Sequence, residues 1–161
     1  MPRAYWLDDF KLSSQLIVIE PSQTEWRRLE DAMEHHQDDE FDMDILHKIY
    51  GRSSMIIPHR KYDLLSAEFR RDGHEAYLGS ADEQWDAHAA LKEAKLVHFS
   101  EWPLPKPWVK VTQEKLDKYT PACKNSTIVG QADCSDRDVW LGLRTDFSAR
   151  REVCCEMAGS Y

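Results

Sequence analysis

The chain has 161 residues, 42% of them hydrophobic and 31% charged, which suits a single folded unit with a real core. Six tryptophans argue against disorder. A formal net charge of -8 argues against a nucleic-acid footprint, which needs a basic stripe and not the scattered pairs Arg27–Arg28, Arg70–Arg71 and Arg150–Arg151. No apolar run approaches the roughly 20 residues that span a bilayer, and Met1-Pro2-Arg3-Ala4-Tyr5-Trp6 has no signal-peptide core.

In chain order, Leu16-Ile17-Val18-Ile19 is a short β-branched run and predicts a buried strand. Pro21-Ser22 ends it, and Ser22 with Glu25 has the spacing of a capping box that opens a helix bearing Trp26, Leu29 and Met33 on one face. A polar loop over residues 35–40 precedes a second helix over residues 42–50, with Asp42 as N-cap, Ile45, Leu46 and Ile49 as its stripe and Gly51 as its stop. Met55-Ile56-Ile57-Pro58 predicts another strand, and residues 62–65 continue the extended region. Residues 70–80 predict a loop around Gly73 and Gly79, residues 85–94 an alanine-rich helix, and residues 95–99 a strand. The prolines of residues 101–108 predict a stiff extended segment. A short helix over residues 112–119 and a last helix from Ser135, with Val139, Trp140, Leu143 and Phe147 on one side, complete the chain. Strands alternating with helices predict an α/β fold over residues 1–109, followed by a helical extension over residues 110–161.

The segment with most chemical content is Val97-His98-Phe99-Ser100-Glu101-Trp102-Pro103-Leu104-Pro105-Lys106-Pro107-Trp108. A histidine at the end of a strand is placed to ligate a metal, since ligands in open α/β sheets bind beyond strand ends. A lysine between two prolines has a fixed backbone, so aiming its ammonium at an anion sacrifices less entropy. On residue type alone, a satisfied core histidine and a rigid surface spacer are the commoner explanations of such features.

Taken together, His98, Lys106, Pro107 and Trp108 resemble the His…Lys-Pro-Trp signature of glycogenin-like family 8 glycosyltransferases. The resemblance covers roughly residues 2–109 and is similar to the fungal Golgi-type, N-acetylglucosaminyltransferase-like branch. It includes the stretches around residues 12–22, 41–46, 57–60 and 62–70, and tail cysteines like Cys123, Cys134 and Cys154. It implies the C-terminal half of a type A nucleotide-sugar transferase fold with a mixed sheet. It also implies a retaining transfer from a UDP-sugar to a glycan or protein acceptor, with Mn²⁺ or Mg²⁺ as cofactor. His98 would be the metal ligand, and Lys106 would contact the diphosphate beside Trp108 in the substrate site. Asp42 would contact sugar hydroxyls, helped by Asp44, because the glutamine that follows the family's aspartate is Met43 here. For Asp42 a plain helix cap and a sugar contact both remain open.

The family's Asp-x-Asp metal motif lies upstream of the matching region. Asp42-Met43-Asp44 aligns with the acceptor-side motif, and Asp136-Arg137-Asp138 falls in the first turn of the last helix. The chain by itself is therefore expected to be inactive, and any membrane attachment would come through an N-terminal anchor that this sequence does not carry. Four cysteines (Cys123, Cys134, Cys154, Cys155) and the sequon Asn125-Ser126-Thr127 lean toward an oxidising compartment, the Golgi lumen for a full-length form. Disulfides joining two or all four cysteines are expected, since no Cys-x-x-Cys pair supports zinc. The competing reading is a non-catalytic interaction module that uses Trp102 and Trp108 as its contact edge.

Overall fold

The computed structural model describes residues 1–125 and 132–158, with side chains to residue 152. It is mixed α/β: helices α1 (Gln23–Glu34), α2 (Asp42–Tyr50), α3 (His59–Tyr62), α4 (Glu75–Leu78), α5 (Ala87–Glu93), α6 (Gln113–Tyr119) and α7 (Ser135–Ala158) surround two small strand pairs. Strand β1 (Leu64–Leu65) runs parallel to β2 (Val97–His98), and β3 (Lys124–Asn125) pairs antiparallel with β4 (Ala132–Asp133). Isolated bridges join Pro2 to Ile57 and Arg3 to Leu12.

Local chemistry explains most helix starts. The Ser22 hydroxyl accepts from the Glu25 amide at 3.4 Å, the Asp86 carboxylate from the Ala89 amide at 2.9 Å and the Thr112 hydroxyl from the Lys115 amide at 3.3 Å. At α2 the cap position belongs to Phe41 and not to Asp42 as expected. Asp44, in the first turn, accepts from the Phe41 amide at 3.0 Å, so the carboxylate that reaches back sits two residues further on. Gly51 ends α2 with φ -56 and is required by proximity, since a Cβ there would lie 2.5 Å from the His47 carbonyl oxygen. Gly79 closes α4 in the left-handed region, φ 75, with nothing near it, so there the backbone conformation alone favours glycine.

The main core gathers Tyr5, Leu64, Leu65, Phe69, Tyr77, Ala87, Ala90, Leu104, Val139 and Trp140. The segment expected to be an extension thus contributes Trp140, which has no exposed surface. A second cluster of Met1, Leu12 and Leu46, flanked by Leu29 and Tyr50, holds α1 and α2 against the first residues.

Several expected elements differ. Residues 16–19 form no strand, and Val18 and Ile19 are 77% and 71% exposed. β-Branched residues favour a strand only when a neighbour takes up the backbone donors and covers a face, and among the described residues none does. In residues 55–58 only Ile57 makes a bridge. Residues 59–62 are helical and residues 75–78 form α4 inside the expected loop. Residues 101–108 are not extended: the Leu104 amide donates to the Glu101 carbonyl at 2.7 Å and the Val109 amide to the Lys106 carbonyl at 2.9 Å, giving two turns. Proline's fixed φ suits a turn as well as an extended chain, and burial of Leu104 selects the turn.

Candidate functional site

Strand β2 ends at His98, whose register partner on β1 is Leu65. Beyond it the chain turns twice and returns Lys106 to the strand end. The Lys106 ammonium lies 3.1 Å from His98 Nε2 and also donates to the Phe99 carbonyl. Burial, then the Lys106 charge, lowers the histidine's pKa below its ordinary value, so the neutral imidazole accepts from the ammonium. The unfolded histidine takes a proton at higher pH than the folded one, so the stability this group contributes is lost as pH falls, when imidazolium would face ammonium.

Beside this pair is a cavity of about 300 Å³ lined by Phe99, Glu101, Trp102, Leu104 and Lys106, among others. Its acidic wall is neutralised from outside the segment: Glu101, 4% exposed, is bound by the Arg144 guanidinium of α7. Trp102 is 90% exposed, and Trp108 is half exposed with its ring 5.9 Å from that of Phe147.

The acidic candidates lie elsewhere. Asp42 is exposed at the start of α2. Asp44 is bound to Lys11 and to the Phe41 amide, and these two contacts, the lysine first, lower its pKa. Among the described residues no hydrogen bond or ion pair links either aspartate to His98 or Lys106. Cys123 and Cys134 form a disulfide that clasps the β3–β4 pair; the side chains of Cys154 and Cys155 and most of the sequon, Ser126 and Thr127, lie outside the described residues. Among the described residues no group of three His, Cys, Asp or Glu side chains is placed to hold a metal, and no helix is long and apolar enough to cross a membrane.

Sequence reasoning missed a buried polar relay. The Tyr5 hydroxyl donates to Glu68 at 3.1 Å, and His74 Nδ1 lies 2.9 Å from the other Glu68 oxygen. The His74 ring stacks on Trp85 at 4.1 Å, whose indole N–H donates to Asp136 at 2.7 Å, and Asp136 also accepts from Lys124 at 2.7 Å. Burial, then the Glu68 charge, pushes the Tyr5 phenol well above its ordinary pKa. The members come from distant parts of the chain and share no periodicity, so no sequence signal would have found them. The Glu101–Arg144 pair was invisible for the same reason.

No family model matches the chain, and no solved structure matches it. It is similar to several curated proteins. The relatives are fungal proteins named Glucose N-acetyltransferase 1. The one from Gibberella zeae is 44% identical over 164 residues, covering 99% of this chain and 35% of that protein. The one from Aspergillus fumigatus is 44% identical over 168 residues, covering 96% of this chain and 44% of that protein. The Saccharomyces cerevisiae protein of the same name is 21% identical over 187 residues, covering 89% and 36%. The chain spans less than half the length of these relatives.

Proposed function

We propose that this chain carries the diphosphate-facing part of a retaining, family 8-like glycosyltransferase that moves a sugar from a UDP-sugar to a glycan or protein acceptor, working in the Golgi lumen as part of a longer protein. The observation that carries the reading is the return of Lys106 to the end of β2, where His98 and the Phe99 carbonyl fix its ammonium beside a cavity. A pre-set cation loses little freedom on meeting an anion and stabilises the negative charge that develops on a departing diphosphate. His98, kept neutral, positions that ammonium. Trp108 would flank the sugar, while Asp42 and Asp44 would meet sugar hydroxyls from α2.

The residues present do not by themselves fit Mn²⁺ or Mg²⁺. Such ions take several oxygen ligands, whereas His98 is a lone nitrogen donor facing an ammonium, with no ligand group around it among the described residues. The chain alone is expected to show no measurable sugar transfer.

Calorimetry with UDP tests the reading. Saturable binding is expected, weakened about tenfold or more by Lys106→Met, a change of about 1.4 kcal/mol. No binding, or equal binding by the variant, would remove the donor site and leave the exposed tryptophans as an interaction edge. Acetyl-CoA belongs in the same series because the relatives' name describes N-acetyl transfer. Binding of acetyl-CoA with none of UDP would replace sugar transfer by acetyl transfer.

A further inference from the structure

A second groove lies on the far side of Trp108, with a volume of about 640 Å³, inside the range of about 300–1,000 Å³ usual for small-molecule sites. One wall is the run from Pro107 to Val111, which leaves the turn closed by the Val109 amide, the other is α7 through Thr145, Ser148 and Arg151, and Leu116 of α6 contributes from a third side. Two contacts brace the walls. Arg151 donates to the Trp108 carbonyl at 2.7 Å, and Arg144 is bound to buried Glu101. The indole of Trp108 rests beside Phe147 with about half its surface open, while Thr145 and Ser148 are exposed.

The polarity of the groove selects its ligand. Arg144 is neutralised by Glu101, and the Glu152 carboxylate offsets one of the two remaining cations, Lys110 and Arg151, so the groove keeps about one net positive charge, little for a polyanion. It offers an aromatic face next to short hydroxyls, one guanidinium, one ammonium and one carboxylate. Such a surface suits a ligand with an apolar face and many hydroxyls that both donate and accept, which describes a neutral oligosaccharide.

We propose that the groove between residues 107–111 and α7 binds a neutral oligosaccharide, with Trp108 as the platform for one sugar ring and Thr145, Ser148 and Arg151 as polar partners. Residues 106–108 lead directly from this groove to the Lys106 ammonium, so the bound sugar lies next to the proposed donor site. The assignment of this sugar as acceptor rests on the transferase reading; the binding itself does not.

The test is calorimetric titration of the purified chain with chitotriose, maltotriose and mannotriose in turn. At least one is expected to bind saturably, with a dissociation constant of about 1 mM or tighter. Ser148→Trp, which fills the groove from an exposed helix position, should abolish that binding while UDP binding stays as in the parent. Lys106→Met should do the reverse. Circular dichroism confirms that each variant is folded, and Thr145→Arg serves as a second groove-filling variant. Absence of binding by all three sugars, or binding that survives both fillings, overturns the proposal. Sugar binding without UDP binding sustains the groove and removes only the donor site.

Discussion

At the scale of single residues, Asp63 is a buried acid with no charged partner among the described residues. It has no exposed surface, and among the described residues neither carboxylate oxygen has a hydrogen-bond partner in good geometry. Burial pushes its pKa up to about 6 from 3.8, and only the nearby Ser13 hydroxyl pulls the other way. Between those values the folded chain holds a proton that the unfolded chain has released, so stability falls as pH rises from about 4 to about 6 and then levels. Asp63→Asn removes the charge and keeps the shape. It should raise stability near neutral pH by about 1–3 kcal/mol and flatten that slope. Urea unfolding at several pH values checks it, and a slope unchanged in the variant would show that the carboxyl is not its source. No local pattern signals this, since residues 62–65 read as an extended run and only burial makes the Asp63 carboxyl costly.

At the scale of elements, helices were legible where their start signals are local. Ser22, Thr112 and Gly51 each act through neighbours within four residues, so α1, α2 and α6 fall close to where sequence patterning puts them. Strands were legible in part: residues 16–19 have the composition of a strand and nothing to pair with among the described residues, whereas β1 and β2 fall inside the extended segments expected at residues 62–65 and 95–99, where two distant segments meet. The β3–β4 pair is similar, being closed by Cys123–Cys134 across 11 positions and tied onward through Lys124 to Asp136. Replacing both cysteines by serine should cost about 2–3 kcal/mol by freeing that loop in the unfolded chain. The change would appear as a lower melting temperature that reductant reproduces in the parent, and equal melting of both forms would show the bridge contributes nothing.

At the scale of the whole molecule, α7 is the element that joins the parts. Trp140 fills the core beside Phe69 and Tyr77, Arg144 lies over its ring at 5.2 Å and reaches Glu101, and Arg151 grips the Trp108 carbonyl. Trp140→Ala should therefore destabilise by about 3–5 kcal/mol and loosen the turn that carries Lys106, so that UDP affinity falls together with the melting temperature. A variant that melts earlier yet binds UDP as tightly as the parent would show that the turn stands without α7. Away from the two core clusters, Val18, Ile19, Trp26, Met33, Phe41 and Met55 are exposed to solvent.

The amino-acid order by itself determined the helices with local caps and the α/β character, because each of these depends on neighbours a few positions apart. Tertiary structure alone decided that Lys106 turns back onto His98 and that Arg144 neutralises Glu101. Those outcomes depend on which surfaces become buried against each other, and burial is a property of contacts between distant segments that no local pattern encodes.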